Sequence, residues 1–368
     1  MPIEPFILAA AAAFALAVSY CGSLFAARTR KLLDEPNGRS SHRHATPRSG
    51  GLAIFGGWCA GLFVLSAFSG DARLAGAAGL YALTGLFALV VGYTDDRFNL
   101  PARWKFFGQV AAAALFTGVF GPLQSLPIPF FGEVALPFVW GAVVTILWIV
   151  AFINAFNFMD GANGLAAGTA AAGLGWICVV VSFSGAPFLA GLGPLLALAA
   201  CGFLPQNLKR GRLFMGDSGS HGLGLLIAGF GVLGANWTGE RMSFLVTPVV
   251  FMPLIFDVGW TLVSRFLRGQ RLAEAHREHL YQLLMRGGMT HAEVAVLYIG
   301  LVCLCAAASI MMLTLPPAQH WLVPAALIAL FSPFAVSITK KALARGDLAI
   351  RKKPDAAEVV GDLAGLTD

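Results

Sequence analysis

Residues 74–97 read LAGAAGLYALTGLFALVVGYTDDR, an apolar run that stops at two adjacent carboxylates, Asp95 and Asp96. An apolar run of about 20 residues is long enough to cross ~30 Å of hydrocarbon as a helix. Adjacent aspartates repel each other and lose solvation at an apolar helix end, so a nearby metal ion or basic side chain would make them tolerable. The stretch predicts a membrane span whose end is either simply solvated or part of a cation-binding site.

Similar apolar runs recur along the whole 368-residue chain, which is 57% hydrophobic and only 12% charged. A mean hydropathy of +0.75 is far above that of a soluble domain of this length. The first run, 6–25, has no basic segment before it, and its charges follow it at Arg28, Arg30 and Lys31. A signal peptide has the opposite pattern. We therefore predict an all-α polytopic integral membrane protein with a retained first span.

Eleven segments have the length and composition of transmembrane helices. They are 5–25, 51–69, 74–93, 105–121, 137–156, 164–183, 187–204, 219–235, 243–263, 293–314 and 321–339. We expect 1–340 to form one transmembrane domain and 341–368 to form a disordered cytoplasmic tail, because its end is small, polar and acidic.

The charges of the loops predict how the chain is oriented. All but two of the 25 basic residues, Arg73 and Arg241, lie in loops after odd-numbered spans or in the tail. By the positive-inside rule, this places the N-terminus outside and the C-terminus in the cytoplasm. Most acidic residues lie on the same side, so we expect a cleft with the functional site on the cytoplasmic face. The net charge of +6 then reflects topology and anionic lipid rather than a nucleic-acid site.

Two of these loops collect cations and histidines, which suit phosphate groups. Arg39 and His42 stand in the proline- and glycine-rich loop 26–50, and His276, Arg277 and His279 belong to the most basic segment, 264–292. The first loop could instead serve only to set the topology, and the second could be an amphipathic helix on the bilayer surface.

Three further loops, 94–105, 157–163 and 205–218, carry oxygen and amide groups. In the first, Asp95 and Asp96 precede three basic residues, and carboxylates for a metal beside cations for phosphate are what phosphoryl transfer needs. Before and within the second, Asn154, Asn157 and Asp160 recur every three residues, so they share one face of a helix end and could read a sugar or base edge. The alternative is a helix cap followed by a turn.

The third loop leads into GDSGS at 216–220, which offers backbone N–H and hydroxyl donors at a predicted helix start. Asp217 could be a further metal ligand. The alternative is an ordinary N-terminal cap.

Taken together, these loops resemble the polyprenyl-phosphate N-acetylhexosamine-1-phosphate transferase family, glycosyltransferase family 4. The resemblance covers about residues 5–340 and rests on five motifs in family order. They are DEPNGRSSHRHATPRSGG (34–51), GYTDDRFNL (92–100), NAFNFMDGANGLA (154–166), LFMGDSGSHGLG (213–224) and AHREHLYQLL (275–284). The last motif is similar to that of the O-antigen-initiating subgroup and lacks the longer histidine motif of the pentapeptide translocase.

The resemblance implies transfer of an N-acetylhexosamine-1-phosphate, from GlcNAc or a 6-deoxy-HexNAc, between a UDP-sugar and undecaprenyl phosphate. The products would be undecaprenyl-diphosphate-sugar and UMP, and the reaction would start O-antigen or another cell-envelope polysaccharide at the bacterial inner membrane. It also implies Mg²⁺ or Mn²⁺ as cofactor, the lipid bilayer as partner and no nucleic acid. The oligomeric state is left open, with a homodimer as one expectation.

Motif matching also implies roles for single residues. Asp217 resembles the family's metal-binding aspartate, with Asp95 as a second metal contact. Asp95 and Asp96 resemble its catalytic pair, and their role as base, nucleophile or metal ligand stays open. The residues implied to bind substrate are Arg39, His42, Asn154, Asn157, Asp160, Asn207, His276, Arg277 and His279.

A transporter or flippase is the alternative function, since eleven spans would suit one. Transporters place polar residues near the middle of the bilayer, often in broken helices. The spans of this chain are nearly free of ionisable groups, except for Asp257, which is a functional candidate but could simply pair with an arginine of segment 264–292. The polar residues gather at one face instead, which favours an enzyme.

Overall fold

A computed structural model describes residues 4–29, 32–34, 45–184, 187–209, 211–237, 242–272, 274 and 276–348. Within these ranges the chain is all-α apart from two short antiparallel ladders. The helices are α1 (Pro5–Arg28), α2 (Gly50–Phe68), α3 (Ala72–Phe98), α4 (Ala102–Phe120), α5 (Phe138–Phe158), α6 (Leu165–Ser184), α7 (Pro187–Leu208), α8 (Gly216–Trp237), α9 (Val246–Val250), α10 (Met252–Leu267), α11 (Leu280–Arg286), α12 (His291–Ile310) and α13 (Leu322–Ala344). The ladders join β1 (Leu33–Asp34) to β2 (Thr46–Pro47) and β3 (Ser125–Ile128) to β4 (Gly132–Ala135).

The prediction of an all-α polytopic membrane protein is confirmed. Among the described residues, nine helices are long and apolar enough to cross a membrane. They are α1, α2, α3, α5, α6, α7, α8, α12 and α13, the last two taken with the short 3₁₀ turns beside them. Helix α13 runs past the predicted domain boundary at 340, and residues 349–368 of the predicted tail lie outside the described ranges.

The other two predicted spans differ from simple apolar helices. Helix α4 begins beside two basic residues, Arg103 and Lys105. The prediction of a single helix at 243–263 is wrong, because the chain forms two helices there, α9 and α10, with a break at Phe251. Pro253 explains the break, since proline has no N–H to donate and its ring clashes with the preceding turn.

Helix α8 is the centre of the bundle, and 94% of the residues in its most apolar stretch of 18 are buried. Glycines let its neighbours approach the backbone itself, as is common where membrane helices pack closely. A Cβ on Gly51 of α2 would lie 2.2 Å from the Gly219 nitrogen. A Cβ on Gly92 of α3 would lie 2.1 Å from the carbonyl oxygen of Asp217. These contacts fix the start of α8 against α2 and α3.

We expect Gly92→Ala to destabilise the protein by about 1–3 kcal/mol, the usual cost of overpacking a tight contact. The new methyl group would push α3 away from α8 where Asp95, Asp96 and Asp217 meet. Thermal unfolding of the purified protein in detergent measures the effect. Gly79→Ala is the matched control on the same helix, because Gly79 faces open space. Equal unfolding temperatures for the two variants would contradict the close packing of α3 on α8.

One end of the bundle, which we call the site end, holds the ends of α1, α3, α5, α7 and α10 and the starts of α2, α4, α6, α8 and α12. Backbone hydrogen bonds tie several of these together. The nitrogen of Phe214 donates to Pro47 O of β2 (2.8 Å), and the nitrogen of Gly50 donates to Phe214 O (2.9 Å). The segment before α8 is thus held against the segment before α2. Most of the sequence motifs lie at this end.

Candidate active site

Two carboxylates from distant parts of the chain face one ammonium group at the site end. The Lys105 Nζ atom contacts Asp95 Oδ2 and lies 3.7 Å from Asp217 Oδ2. Asp95 is nearly completely buried, whereas the Asp217 side chain is 30% exposed. The other Asp95 oxygen accepts the backbone N–H of Leu100 (2.8 Å). A lysine therefore holds the cation position that the Asp95–Asp96 sequence predicted.

Asp96 faces a different way from Asp95, because adjacent helical residues differ in direction by about 100°. Its Oδ1 accepts the backbone N–H of Asp217 (3.0 Å) and its Oδ2 accepts that of Ser218 (2.9 Å). These N–H groups belong to the first turn of α8 and have no partner within that helix, whose N-terminus favours negative charge. Asp96 thus caps α8 from another helix. Arg48, paired with Asp34 at 2.8 Å, lies 3.8 Å from Asp96 Oδ1.

The amides of α5 complete the surroundings of Asp217. Asn157 Nδ2 donates to Asp217 Oδ1 (2.9 Å) and to Ser220 Oγ (2.8 Å). Asn154, one turn earlier, lies in a buried amide chain, where its Nδ2 donates to Gln109 Oε1 (2.7 Å). Gln109 Nε2 in turn lies 2.8 Å from His221 Nε2 on α8. Asn157 therefore touches the carboxylate directly, whereas Asn154 supports α8 through α4.

Asp160, in the turn after α5, lies within the field of the same carboxylates. Burial raises the pKa of Asp160 well above its usual range, and the negative charges of Asp217 and Asp96 raise that pKa further. A carboxyl group that holds its proton can donate as well as accept a hydrogen bond. Asp160 can thus act as a hydrogen-bond donor as well as an acceptor.

The basic segment 264–292 carries fewer free charges than the sequence indicates. Arg265 Nη1 pairs with Glu278 Oε1 at 2.9 Å, and Arg268 contacts the other oxygen of Glu278. Arg271 pairs with Glu274 at the surface. Carboxylates therefore neutralise part of the positive charge of this segment.

The histidines of this segment form a stacked cluster beside the end of α5. The His279 ring stacks on Phe158 at 5.5 Å and lies 5.0 Å from the His276 ring. Burial lowers the pKa of His276 to about 4, and nearby His279, Arg265 and Arg268 lower it as well. His276 is therefore neutral at pH 7.

Tyr281 joins this cluster to the turn after α5. Its hydroxyl group donates to Phe158 O (3.0 Å). A Cβ on Gly161 would lie only 2.0 Å from the Tyr281 hydroxyl oxygen. The cluster consequently packs on the turn that holds Asn157 and Asp160. Five of the predicted site residues, spread over three predicted loops, thus share one region: Asn157, Asp160, Asp217, His276 and His279.

Asn207 lies apart from this surface. It is buried, its Oδ1 accepts the backbone N–H of Gly164 and its Nδ2 donates to Leu213 O (3.0 Å). It ties the end of α7 to the start of α6, so its contacts position the loops rather than face the carboxylates. Arg39 and His42 lie outside the described residues, and Arg277 is partly exposed next to the histidines.

Three residues gain importance only in the structure: Lys105, Gln109 and Tyr281. Lys105 appears in the sequence as one of several cations in its loop. The polar Gln109 in the apolar helix α4 was a usable signal, because a lone buried amide needs partners. Tyr281 gives no signal by itself, since a tyrosine in a short helix is ordinary.

The donor set fits a divalent cation. Asp95 Oδ2 and Asp217 Oδ2 converge on the single position of the Lys105 ammonium. Mg²⁺ is typically held by one or two carboxylates together with water and substrate phosphates. The part of the chain that the structure describes shows no cluster of three or more His, Cys, Asp or Glu side chains arranged for a metal. Two carboxylate ligands would leave the other coordination positions of a Mg²⁺ ion to water and phosphate oxygens.

Known proteins resemble this chain over most of its length. The sequence profile of glycosyl transferase family 4 matches residues 78–235, which include Asp95, Asp96, Asn157, Asp160 and Asp217. A probable undecaprenyl-phosphate N-acetylglucosaminyl 1-phosphate transferase of Bacillus subtilis (strain 168) is 31% identical over 269 residues, covering 73% of this chain and 74% of the relative.

Two further relatives have similar names. The decaprenyl-phosphate N-acetylglucosaminephosphotransferase of Mycobacterium tuberculosis (strain CDC 1551 / Oshkosh) is 33% identical over 311 residues, or 75% of each chain. The undecaprenyl-phosphate alpha-N-acetylglucosaminyl 1-phosphate transferase of Escherichia coli (strain K12) is 28% identical over 282 residues, or 72% of each chain.

Proposed function

Because this chain belongs to glycosyl transferase family 4, we propose that it transfers N-acetylglucosamine-1-phosphate from UDP-GlcNAc to a polyprenyl phosphate. Undecaprenyl phosphate is the acceptor named for the relatives from B. subtilis and E. coli. These names are those of phosphotransferases, which supports an enzyme over a transporter or flippase. The observation that carries the proposal is that Asp95, Asp217 and Lys105 come together at the site end of the helix bundle.

The reaction joins two anions, so charge is its main obstacle. An oxygen of the lipid phosphate attacks the β-phosphorus of UDP-GlcNAc and forms a new P–O bond. The bond from that phosphorus to the bridging oxygen breaks, and UMP leaves with the electron pair. The products are polyprenyl-diphosphate-GlcNAc and UMP. Positively charged groups placed where charge develops lower the barrier to such a transfer.

A bound Mg²⁺ or Mn²⁺ would neutralise phosphate charge in this reaction, with Asp217 and Asp95 as its protein ligands. Lys105 would then turn from the carboxylates towards a phosphate oxygen. Asn157 holds Asp217 Oδ1 in place, and Asp96 holds the backbone of Asp217. Asp160 and His279 lie further along the same surface, where they suit the sugar and the donor diphosphate.

The location follows from the charge distribution. We place the protein in the bacterial cytoplasmic membrane, with the N-terminus outside, the C-terminus inside and the site end in the cytoplasm. The basic loops support this orientation, and UDP-sugars are cytoplasmic donors in the reaction that the family resemblance implies. A 6-deoxy-HexNAc donor and a role in starting O-antigen or another envelope polysaccharide remain sequence predictions, as does a homodimer.

The donor can be identified directly. Purified protein in lipid nanodiscs would be incubated with Mg²⁺, undecaprenyl phosphate and labelled UDP-GlcNAc, UDP-GalNAc or a UDP-6-deoxy-HexNAc. We expect UMP and a lipid-linked product from UDP-GlcNAc, and neither when the acceptor is omitted. Turnover of only another donor would correct the sugar, and no product from any of the three would overturn the proposal.

A further inference from the structure

Asp257 of α10 is a buried carboxylate outside the group formed by Asp95, Asp96 and Asp217. It is 1% exposed, and its oxygens accept hydrogen bonds from α11, from α12 and from Thr261 Oγ1 of α10 itself (3.3 Å). Oδ1 accepts the backbone N–H of Leu280 (2.8 Å), and Oδ2 accepts that of Tyr281 (3.0 Å). Tyr298 Oη of α12 donates to Oδ2 as well. The sequence left open a pairing with a nearby arginine, which these contacts replace.

Hydrogen bonds from uncharged donors thus stabilise the buried Asp257 carboxylate. Removing a carboxylate from water is costly unless hydrogen bonds satisfy its lone pairs. Two of the donors are the first backbone N–H groups of α11, which have no partner within their own helix. The carboxylate therefore fixes where α11 begins, directly after His279.

The same carboxylate determines the hydrogen on the His279 ring. His279 Nδ1 lies 3.3 Å from Asp257 Oδ1, and the imidazole ring and the carboxylate are both buried. An ionised carboxylate can only accept hydrogen bonds, so with Asp257 ionised Nδ1 is the donor in this contact. In a neutral His279 the other ring nitrogen, Nε2, is then an acceptor.

His279 also faces the turn that carries the amide and carboxyl groups of the site. Its ring stacks on Phe158 at 5.5 Å, and Tyr281, the second residue held by Asp257, donates to Phe158 O at 3.0 Å. Phe158 directly follows Asn157, which donates to Asp217. One buried carboxylate on α10 is thereby connected to the end of α5 through two aromatic side chains.

We propose that Asp257 is a positioning residue that holds His279, with its hydrogen on Nδ1, so that Nε2 meets the donor diphosphate. The inference rests on the proposed function and deepens it. Asp257 itself touches no substrate and acts through His279. A carboxylate that orients a histidine through Nδ1 and leaves Nε2 for chemistry is a recurring arrangement in enzymes.

Asp257→Asn tests the proposal because asparagine has the same shape with a different donor pattern. Its Nδ2 must face either Leu280 N or Tyr281 N, so one buried N–H loses its acceptor in either orientation. If Nδ2 faces His279, it donates to Nδ1 and moves the ring hydrogen to Nε2. Glu274→Gln is the matched control, since it makes the same change in an exposed carboxylate of the same segment.

We expect the KM for UDP-GlcNAc to rise at least about tenfold in Asp257→Asn, with the KM for undecaprenyl phosphate unchanged. A residue that only stabilises the fold would lower the active fraction and leave both KM values unchanged. His279→Asn should raise the donor KM similarly, and the double variant should be no worse than the worse single variant. An unchanged donor KM, or effects that multiply, would overturn the proposal. An inactive wild-type protein in the same assay would instead contradict the proposed function.

A second measurement covers the case in which Asp257→Asn cannot be purified. Wild-type protein labelled with ¹⁵N-histidine would be compared by NMR with His279→Asn, which identifies the His279 signals. Hydrogen on Nδ1 is the expected result. Hydrogen on Nε2 would overturn the proposal without any change at Asp257.

Discussion

Asp217→Asn should fold like the wild-type protein and lose at least about 10³-fold of its turnover at any Mg²⁺ concentration. The amide oxygen of asparagine can still accept the hydrogen bond from Asn157, so the local structure survives. The substitution removes the charge that, in the proposed function, would hold a divalent cation beside Asp95, and more metal cannot replace a missing ligand charge. UMP release over a Mg²⁺ titration, together with the unfolding temperature, measures both parts of this expectation.

Asp347→Asn is the control for this charge change, because the Asp347 carboxylate pairs with surface Arg345 at 2.7 Å, far along the chain from the motifs of the site. It should leave both turnover and unfolding unchanged. Substantial turnover by purified Asp217→Asn, or turnover that returns with excess metal, would remove Asp217 from the metal site.

Asp96→Asn should lose stability as well as activity. Both Asp96 oxygens accept backbone N–H groups of α8, and asparagine supplies only one acceptor oxygen. One buried N–H is left without a partner, which costs about 1–3 kcal/mol. Because one of these N–H groups belongs to Asp217, the proposed metal ligand would move too. We therefore expect a lower unfolding temperature and at least about 100-fold less UMP release, the order caused by a misplacement of about 1 Å.

Asp71→Asn is the matched control at the other end of the same helix. The Asp71 carboxylate also accepts two backbone N–H groups, those of Arg73 and Leu74, but at the surface. Asparagine is as good a cap there as aspartate. The control should unfold at the wild-type temperature. If Asp96→Asn unfolds at that temperature too, the capping role is refuted, and a free catalytic role for Asp96 becomes the better explanation.

The spans were predictable because a bilayer imposes a length on each apolar run. Ten of the eleven predicted spans coincide with single helices whose ends differ by only a few residues for most of them, whereas 243–263 is divided into α9 and α10. What the sequence did not predict is the central place of α8. Its many glycines lower helix propensity by the usual scales, whereas in this bundle they allow Gly51 and Gly92 to approach its backbone.

The site was predictable as a set of residue types, but not as an arrangement. Adjacent letters do not reveal that Asp95 turns towards Lys105 while Asp96 turns towards α8, since this depends on which helices surround α3. The basic segment was overestimated because counted charges do not show pairing. Glu278 lies between Arg265 and Arg268, and only the fold brings the three together.

Asp257 shows the opposite case. An acidic residue in an apolar span is a functional candidate by default, so the sequence identified it, but the pairing it left open was with an arginine. The actual partners are two backbone N–H groups, a histidine, a tyrosine and the hydroxyl group of Thr261. Backbone donors leave no trace in a sequence, which is why this part of the site needed the structure.

The fate of the β-phosphorus tests the central claim most directly. Purified protein would be given UDP-GlcNAc labelled at the β-phosphate, together with undecaprenyl phosphate and Mg²⁺, and the lipid and aqueous phases would be separated. Our account predicts that the label moves into the lipid with the sugar and that unlabelled UMP is released. Label that stays in the aqueous phase as UDP, while the sugar alone enters the lipid, would contradict it.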